Sequence, residues 1–234
     1  MITDNPQAPP THDHAREVRQ LLRAHRYGVL CTLSKKYDGH PFGSITPYLV
    51  DHQGDLLILI SALAEHTKNI QQDARVSLIT HSQDDPRIQT QGRVTVVGLA
   101  TLETERDKVG QRYLRYFPEA EIYFAMQDFQ FYRIVPQAIR YIGGFGNIHW
   151  IKADRYRAKE NILTNQEVDA IHRINTEHET DLRRLIGEIE IKAELVGIDC
   201  EGFDIRAGER LLRVQSDEPI LDAQQAIQQI KNCS

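Results

Sequence analysis

The sequence predicts an α+β protein in which an antiparallel β-barrel precedes a small C-terminal unit of helices and strands. Three observations predict this class. About seven strand-forming runs with few helices between them come first, a pattern that favours an antiparallel barrel over a parallel α/β sheet. A charged stretch at 152–161 is typical of a linker. The order then changes to helix, strands and helix, so we expect a barrel domain at 13–151 and a second unit at 160–234.

The composition is that of a globular protein and limits the kinds of partner. The chain has 234 residues, of which 41% are apolar, and its formal net charge is −5. This acidic balance lacks the broad positive field that non-specific nucleic-acid binding requires, so we expect no nucleic-acid partner. A small anionic ligand needs only a local basic patch, and the net charge does not exclude one.

The sequence also predicts a cytoplasmic protein that does not enter a membrane. Its longest apolar run, Leu56–Ala64, is far shorter than the ~20 residues of a membrane helix. Residues 1–12 are polar and proline-rich, unlike a signal peptide, and we expect them to be disordered. The three cysteines are far apart and form no CxxC motif, which is typical of reduced thiols in the cytoplasm.

The barrel segment begins with an amphipathic helix at Asp13 and continues with strands and turns. The Asp38-Gly39 pair predicts a hairpin turn. Leu56–Ser61 is almost continuously apolar, as in a strand buried on both faces. The other expected elements are strands at 27–34, 42–50, 75–80, 91–101 and 129–142, the last divided in two around Pro136, and helices at 62–72 and 104–116, the second capped by Thr104.

The C-terminal unit begins with one long amphipathic helix, predicted at 166–189. The apolar stripe of this helix includes His178, which lies four residues from both Ile174 and Leu182. A histidine on a buried face is either a core residue bonded to the backbone or a metal ligand. His172 lies about 240° around the axis, so one metal ion cannot bind both histidines. The elements expected after this helix are a segment at 198–205 with a turn at Glu201-Gly202, a short strand at 211–214 and a helix at 222–231.

Several segments resemble the HugZ/HutZ family of haem-utilisation proteins, which are relatives of the flavin-binding pyridoxamine phosphate oxidases. The most specific is ISALAEHTKNIQQD at Ile60–Asp73, and His172–Val214 resembles a small domain often fused to this barrel. The resemblance implies a split β-barrel of the FMN-binding type, a homodimer, and a small-molecule site between the two subunits. The other matching segments are RVSLI (75–79), RVTVVG (93–98), DFQFYRI (128–134) and YIGGFGNIHW (141–150).

The resemblance leaves three functions open. Members of the haem branch bind haem, and some degrade it with oxygen and a reductant, so haem is the first expected ligand. The flavin-binding relatives imply an FMN-dependent oxidoreductase as the alternative. Similar plant barrels bind glutamyl-tRNA reductase and tune haem synthesis, which implies a non-enzymatic regulator as the third. The sequence alone does not decide whether the chain is an enzyme.

The resemblance implies roles for three separate residues at the ligand. His178 lies in a segment similar to the family's histidine motif and is implied as the axial ligand of the haem iron, commonly a neutral imidazole. Asp128 matches an acidic residue that hydrogen-bonds this histidine across the dimer, the alternative being a bond to its own backbone. Arg93 matches an arginine beside the ligand, where a guanidinium can bind propionates or a phosphate, the alternative being a surface arginine.

Ser61, His66, Thr67 and Lys68 complete the expected cofactor site. In the flavin-binding relatives, a Ser-Arg-Lys-like triplet at this place contacts the phosphate. Here the central arginine is missing and His66 precedes Thr67. A hydroxyl, a cation and the amides of a helix start still suit a phosphate, and the alternative is a solvated helix face.

Overall fold

A computed structural model describes residues 13–81, 91–144, 147–158, 162–187 and 190–232. The expected disordered arm at 1–12 lies outside these residues. Eight of the described strands form one curled antiparallel sheet, which confirms the predicted α+β split barrel. These strands are β1 (Tyr27–Leu33), β2 (Pro41–Pro47), β3 (Leu49–Val50), β4 (Leu56–Ser61), β5 (Arg75–His81), β6 (Arg93–Leu102), β7 (Phe129–Ile142) and β8 (Ile148–Lys152). The accompanying helices are α1 (His14–Ala24), α2 (Glu65–Gln72), α3 (Arg106–Tyr116), α4 (Glu121–Phe124) and α5 (Ala153–Tyr156).

The sheet has the strand order β2-β1-β5-β6-β7-β4-β3, and β8 pairs with the second half of β7. Strand β4 is buried on both faces, as predicted. Because side chains alternate along a strand, Leu56 and Ile58 enter the barrel core, whereas Leu57 and Leu59 pack in a second cluster with α3. The β1–β2 turn places Asp38 and Gly39 at φ 47° and 77°, which confirms the predicted hairpin.

Helix α1 packs against the barrel core. The Asp13 carboxylate accepts a hydrogen bond from the Arg16 amide and caps the helix. Val18 and Leu22 are fully buried in the barrel core. Burial of each such side chain stabilises the fold by about 1.5–3 kcal/mol, which fixes the helix to the sheet.

Three details differ from the sequence-based predictions. β7 is one strand rather than two, because Pro136 lies opposite Gly98 next to a register shift, where the ladder is already irregular. Thr104 does not cap α3; Glu105 occupies the N-cap without a side-chain hydrogen bond. The expected linker contains the end of β8 and helix α5, in which Tyr156 is fully buried and donates a hydrogen bond to the Gly54 carbonyl at 2.7 Å.

The C-terminal unit has a three-stranded antiparallel sheet with helices packed on it. The predicted single helix at 166–189 is wrong, because the backbone leaves the helical region at His178, with φ −131° and ψ 23°. The elements are α6 (Leu163–Glu177), α7 (Glu179–Leu185), β9 (Ala193–Asp199), β10 (Gly202–Ala207), β11 (Arg210–Gln215) and α8 (Ala223–Asn232). The exact boundaries of the two units stay a prediction.

A buried network of ion pairs joins this unit to the barrel, and we name it the inter-unit seam. Asp199 accepts from Arg213 at 2.7 Å and pairs with Arg23 of α1 at 3.1 Å. The carboxylate of Glu167 on α6 lies 2.9–3.3 Å from basic groups of the barrel domain. The members of the seam are Arg19, Arg23, His52, Arg112, Arg115, Tyr116, Glu167, Asp199, Glu201, Asp204 and Arg213.

The described helices include none that is both long and apolar enough to cross a membrane.

Candidate functional site

Ser61 and Asp128 meet where β4 ends and β7 begins. Ser61 pairs with Phe129, so the residue before β7 comes to lie beside it. The Ser61 hydroxyl donates to Asp128 Oδ2 at 2.7 Å, and the Ala62 amide donates to the Asp128 carbonyl at 2.7 Å. Asp128 is therefore fixed through both its side chain and its backbone, with a second carboxylate oxygen that can still accept a proton or a hydrogen bond.

Thr67 and Lys68 lie in the first turns of α2, and they differ in exposure to solvent. Thr67 is only 1% exposed, and its hydroxyl donates to the Ser61 carbonyl at 2.6 Å. That proton is committed to the backbone and cannot also be donated to a phosphate. Lys68 is exposed to solvent. The hydroxyl of the expected phosphate triplet thus holds the β4–α2 turn in place.

One ring nitrogen of His66 is hydrogen-bonded to the protein, and the other has no partner in the described part of the chain. Its Nδ1 lies 3.0 Å from the Ser44 hydroxyl on β2, and Nε2 has no hydrogen-bond partner among the described residues. Burial lowers the pKa of His66 below its ordinary value, which favours the neutral imidazole. A neutral ring oriented through one nitrogen can present the other to an iron atom or to a substrate oxygen. We name the group Ser44, Ser61, His66, Thr67, Lys68 and Asp128 the α2 site.

Arg93 is not part of the α2 site within one chain. It begins β6 and pairs with Ile142 at the end of β7, whereas Ser61 pairs with Phe129 at the start of β7. The two predicted halves of the ligand site therefore lie at opposite ends of the longest strand.

His178 lies between α6 and α7, with its side chain 11% exposed. Nδ1 is 3.2 Å from Asp181 Oδ2, while Nε2 is buried without a hydrogen-bond partner and lies 3.9 Å from Glu177 Oε2. The structure does not bring His178 to Asp128 within one chain, since the carboxylate that holds its ring is Asp181. His172 is exposed to solvent.

Sequence reasoning missed Ser44 and Asp181. Ser44 reaches His66 only through the β1–β2 hairpin, so no local pattern could indicate it. Asp181 follows His178 by three residues, a spacing at which side chains meet at a helix start, and could have been considered. Within the described residues, no group of three or more His, Cys, Asp or Glu side chains is arranged to hold a metal ion. A porphyrin-bound iron needs only one protein nitrogen, so this observation bears on bare metal ions alone.

Comparison with known proteins identifies the family. The family described as "CREG, beta-barrel" matches residues 9–158, a range that includes all eight strands of the barrel sheet. This chain belongs to that family. The chain, with its CREG-type barrel, is also similar to the non-canonical heme oxygenase HOZ, chloroplastic, of Arabidopsis thaliana, with 30% identity over 202 residues. The match covers 82% of this chain, which spans 62% of the length of that relative.

Other relatives agree with the predicted resemblance to haem-utilisation barrels, which is confirmed. Heme oxygenase HutZ of Vibrio cholerae is 23% identical over 146 residues, covering 59% of this chain and 81% of HutZ. A protein of unknown function from Agrobacterium tumefaciens, Atu2129, superposes with a TM-score of 0.80 at 21% identity, covering 97% of this chain and 98% of its own. A heme binding protein from Mycobacterium smegmatis gives a TM-score of 0.59 at 23% identity, with 97% and 99% covered. At 21% and 23% identity, these two structures are evidence for the fold alone.

Proposed function

We propose that this protein binds haem as a substrate and opens the porphyrin with oxygen and an external reductant. The observation that carries the proposal is the likeness, over 82% of this chain, to a relative named as a heme oxygenase. Two partly buried histidines, each with one ring nitrogen oriented and the other unpartnered, support it from the structure. Bound haem would supply the iron at which oxygen is activated, and the protein's part is to hold and surround it.

His178 stays our predicted ligand to the iron. Its Nε2 is a buried nitrogen without a partner, and a carboxylate on Nδ1 would fix the tautomer and strengthen the nitrogen as a donor. Iron can reach Nε2 only when the groups that cover it move. Glu177 is one such group, and its 53% exposed side chain is held by an exposed pair with Arg173 at 3.2 Å, a contact that is weak at a surface.

The α2 site would form the opposite wall. His66 presents Nε2 as a neutral hydrogen-bonding nitrogen, and Asp128 keeps one carboxylate oxygen available while Ser61 holds the other. These groups can orient water or a reacting oxygen and move a proton. Arg93 is proposed to bind a propionate through its guanidinium.

We further propose a homodimer, because the halves of the site lie at opposite ends of β7 and one ligand can touch both only if two copies contribute. The outer face of the sheet carries an apolar surface that suits a second copy. Tyr27, Val29 and Ile45 are 38–74% exposed on β1 and β2, and Val97 and Leu99 are 39–40% exposed on β6.

Cys31 and Cys200 are free thiols, as a reducing cytoplasm would leave them.

FMN is the weaker candidate ligand. A phosphate needs hydrogen-bond donors, but the Thr67 hydroxyl donates to the Ser61 carbonyl and the arginine of the related triplet is missing. The distinction is visible in a spectrum, since haem gives a Soret band whereas flavin gives paired bands in the near-ultraviolet and blue.

The test is a haem titration of the full chain followed by ascorbate. We expect a saturable Soret band, which His178→Ala abolishes or shifts and which the exposed control His172→Ala leaves unchanged. Ascorbate and oxygen should convert the band to biliverdin-like absorbance, and Asp128→Asn should slow that conversion without preventing binding. Haem binding without turnover would indicate the regulator instead, and no binding would refute the proposal.

A further inference from the structure

The outer face of the barrel carries a basic and aromatic patch beside the end of β7. Arg140 on β7 pairs with Trp150 on β8 on one side and with Thr95 on β6 on the other. Arg93 precedes Thr95 by two positions and pairs with Ile142. Residues directly opposite in an antiparallel sheet share a face, so these five side chains point the same way. The inward neighbours Ile139 and Val94 are fully buried, which identifies this face as the outer one.

In this patch the Trp150 side chain is exposed, and Arg140 lies half-buried against it. The indole of Trp150 is 62% exposed, and the guanidinium carbon of Arg140 lies 5.4 Å from its ring centroid. Within the described part of the chain, no carboxylate pairs with Arg140. A large aromatic ring left this exposed, with an unneutralised cation fixed against it, is costly unless a ligand or partner uses it.

The chemistry of the patch suits a flat apolar ring that carries carboxylates. The exposed indole and Ile148, which is 47% exposed on β8, can contact the ring. The guanidinium of Arg140, with Arg93 nearby on the same face, can bind carboxylates through paired N–H donors. A porphyrin with two propionates combines these features in one molecule.

We propose that Arg140 and Trp150 form a porphyrin-binding surface, in which Trp150 stacks on the ring and Arg140 binds a propionate beside Arg93. This inference rests on the proposed function and adds two residues to it. In the proposed dimer the surface would face the α2 site of the second copy. It would hold the porphyrin ring independently of the histidine that binds the iron.

Trp150 is the single tryptophan of the chain, which permits a direct test. A ¹⁵N-labelled sample gives one indole N–H signal, and gallium protoporphyrin IX is a diamagnetic analogue of haem. We expect the indole signal to shift strongly through the ring current when the analogue binds, whereas amides on α8 stay in place. The measurement uses the unaltered protein and does not depend on how a variant folds.

Variants and a second probe separate this inference from the proposed function. Metal-free protoporphyrin IX should still bind, and Arg140→Ala should weaken both porphyrins about tenfold, as expected for loss of a charged hydrogen bond. The control Lys108→Ala, which removes an exposed cation on α3 far from the patch in the sheet, should change neither. If the gallium analogue binds while the indole signal stays in place, the surface is refuted and haem binding survives. If neither haem nor the analogue binds, the proposed function itself fails.

Discussion

The two polar regions of this protein, the inter-unit seam and the α2 site, differ in how their groups are neutralised. In the seam, Asp199 is 1% exposed and has two arginine partners. In the α2 site, His66 and Asp128 are each held by one hydroxyl and keep one atom without a protein partner. The comparison teaches that polarity alone does not mark a functional site. Seam atoms such as His52 Nδ1 also lack a hydrogen bond among the described residues, but they are buried within a network of opposite charges, which we assign to stability. The open atoms of the α2 site belong to groups that are oriented by hydroxyls, and we assign these to a ligand.

The largest effect on stability should come from the seam. Asp199→Ala removes one carboxylate from both Arg23 and Arg213, which keep Glu201 and Asp204 respectively, and removal of one partner of a buried ion pair costs about 3–5 kcal/mol. Urea unfolding followed by circular dichroism measures this loss. As a control, Lys108→Ala removes an exposed ion pair with Glu105 and should cost at most about 1 kcal/mol. Equal losses in the two variants would contradict the assignment of the seam to stability.

The seam should also make the protein sensitive to acid. Burial alone would raise the pKa of Asp199, but Arg213 and Arg23 hold it well below its ordinary value, and Arg112 and His52 do the same for the pKa of Glu167. Unfolded carboxyls titrate at about pH 4, so the seam's stabilisation is complete above about pH 5.

On acidification below pH ~5 this stabilisation is lost progressively, because the unfolded state takes up protons before the folded state does. The unfolding free energy, measured between neutral and acidic pH, should therefore fall. The fall should be shallower in Asp199→Ala. An unfolding free energy that does not fall between neutral and acidic pH would contradict the role of the seam. An equal fall in Asp199→Ala would also contradict it.

A smaller change in stability is expected at the α2 site. Ser61→Ala removes the hydrogen bond to a partly exposed carboxylate, which costs about 0.5–1.5 kcal/mol. The reaction of bound haem with ascorbate should change more than the stability, because Asp128 loses its orientation. Matched unfolding and turnover measurements on this variant and on Asp199→Ala sharpen the comparison. A Ser61→Ala loss as large as that of Asp199→Ala would place the α2 site among the stabilising networks.

Much of the fold could be predicted because its signals are local. The Asp38-Gly39 turn, the doubly buried β4 and the capped α1 each follow from residues adjacent in sequence. β8 was missed because it is short and follows a glycine-rich stretch. The break at His178 was missed because the apolar spacing continues through it, and spacing alone does not show where the backbone leaves the helix.

The site was predicted in part. Ser61 and Asp128 were expected from the resemblance, but their hydrogen bond depends on the pairing of β4 with β7, and no local pattern contains that. The seam was not predicted at all. Its charges come from α1, α3, α6 and the last sheet, and along the sequence they look like ordinary surface residues.

The most direct test of the central claim is amide hydrogen–deuterium exchange of the full chain with and without haem. We expect haem to slow exchange in segments 61–68 and 127–130 and at the α6–α7 junction around His178. We expect no change at the β9–β10 turn, where the Glu201 carboxylate already pairs with Arg19 and Arg23. Slowed exchange at that turn, with none at 61–68, would contradict the claim that the α2 site receives the ligand and the seam does not.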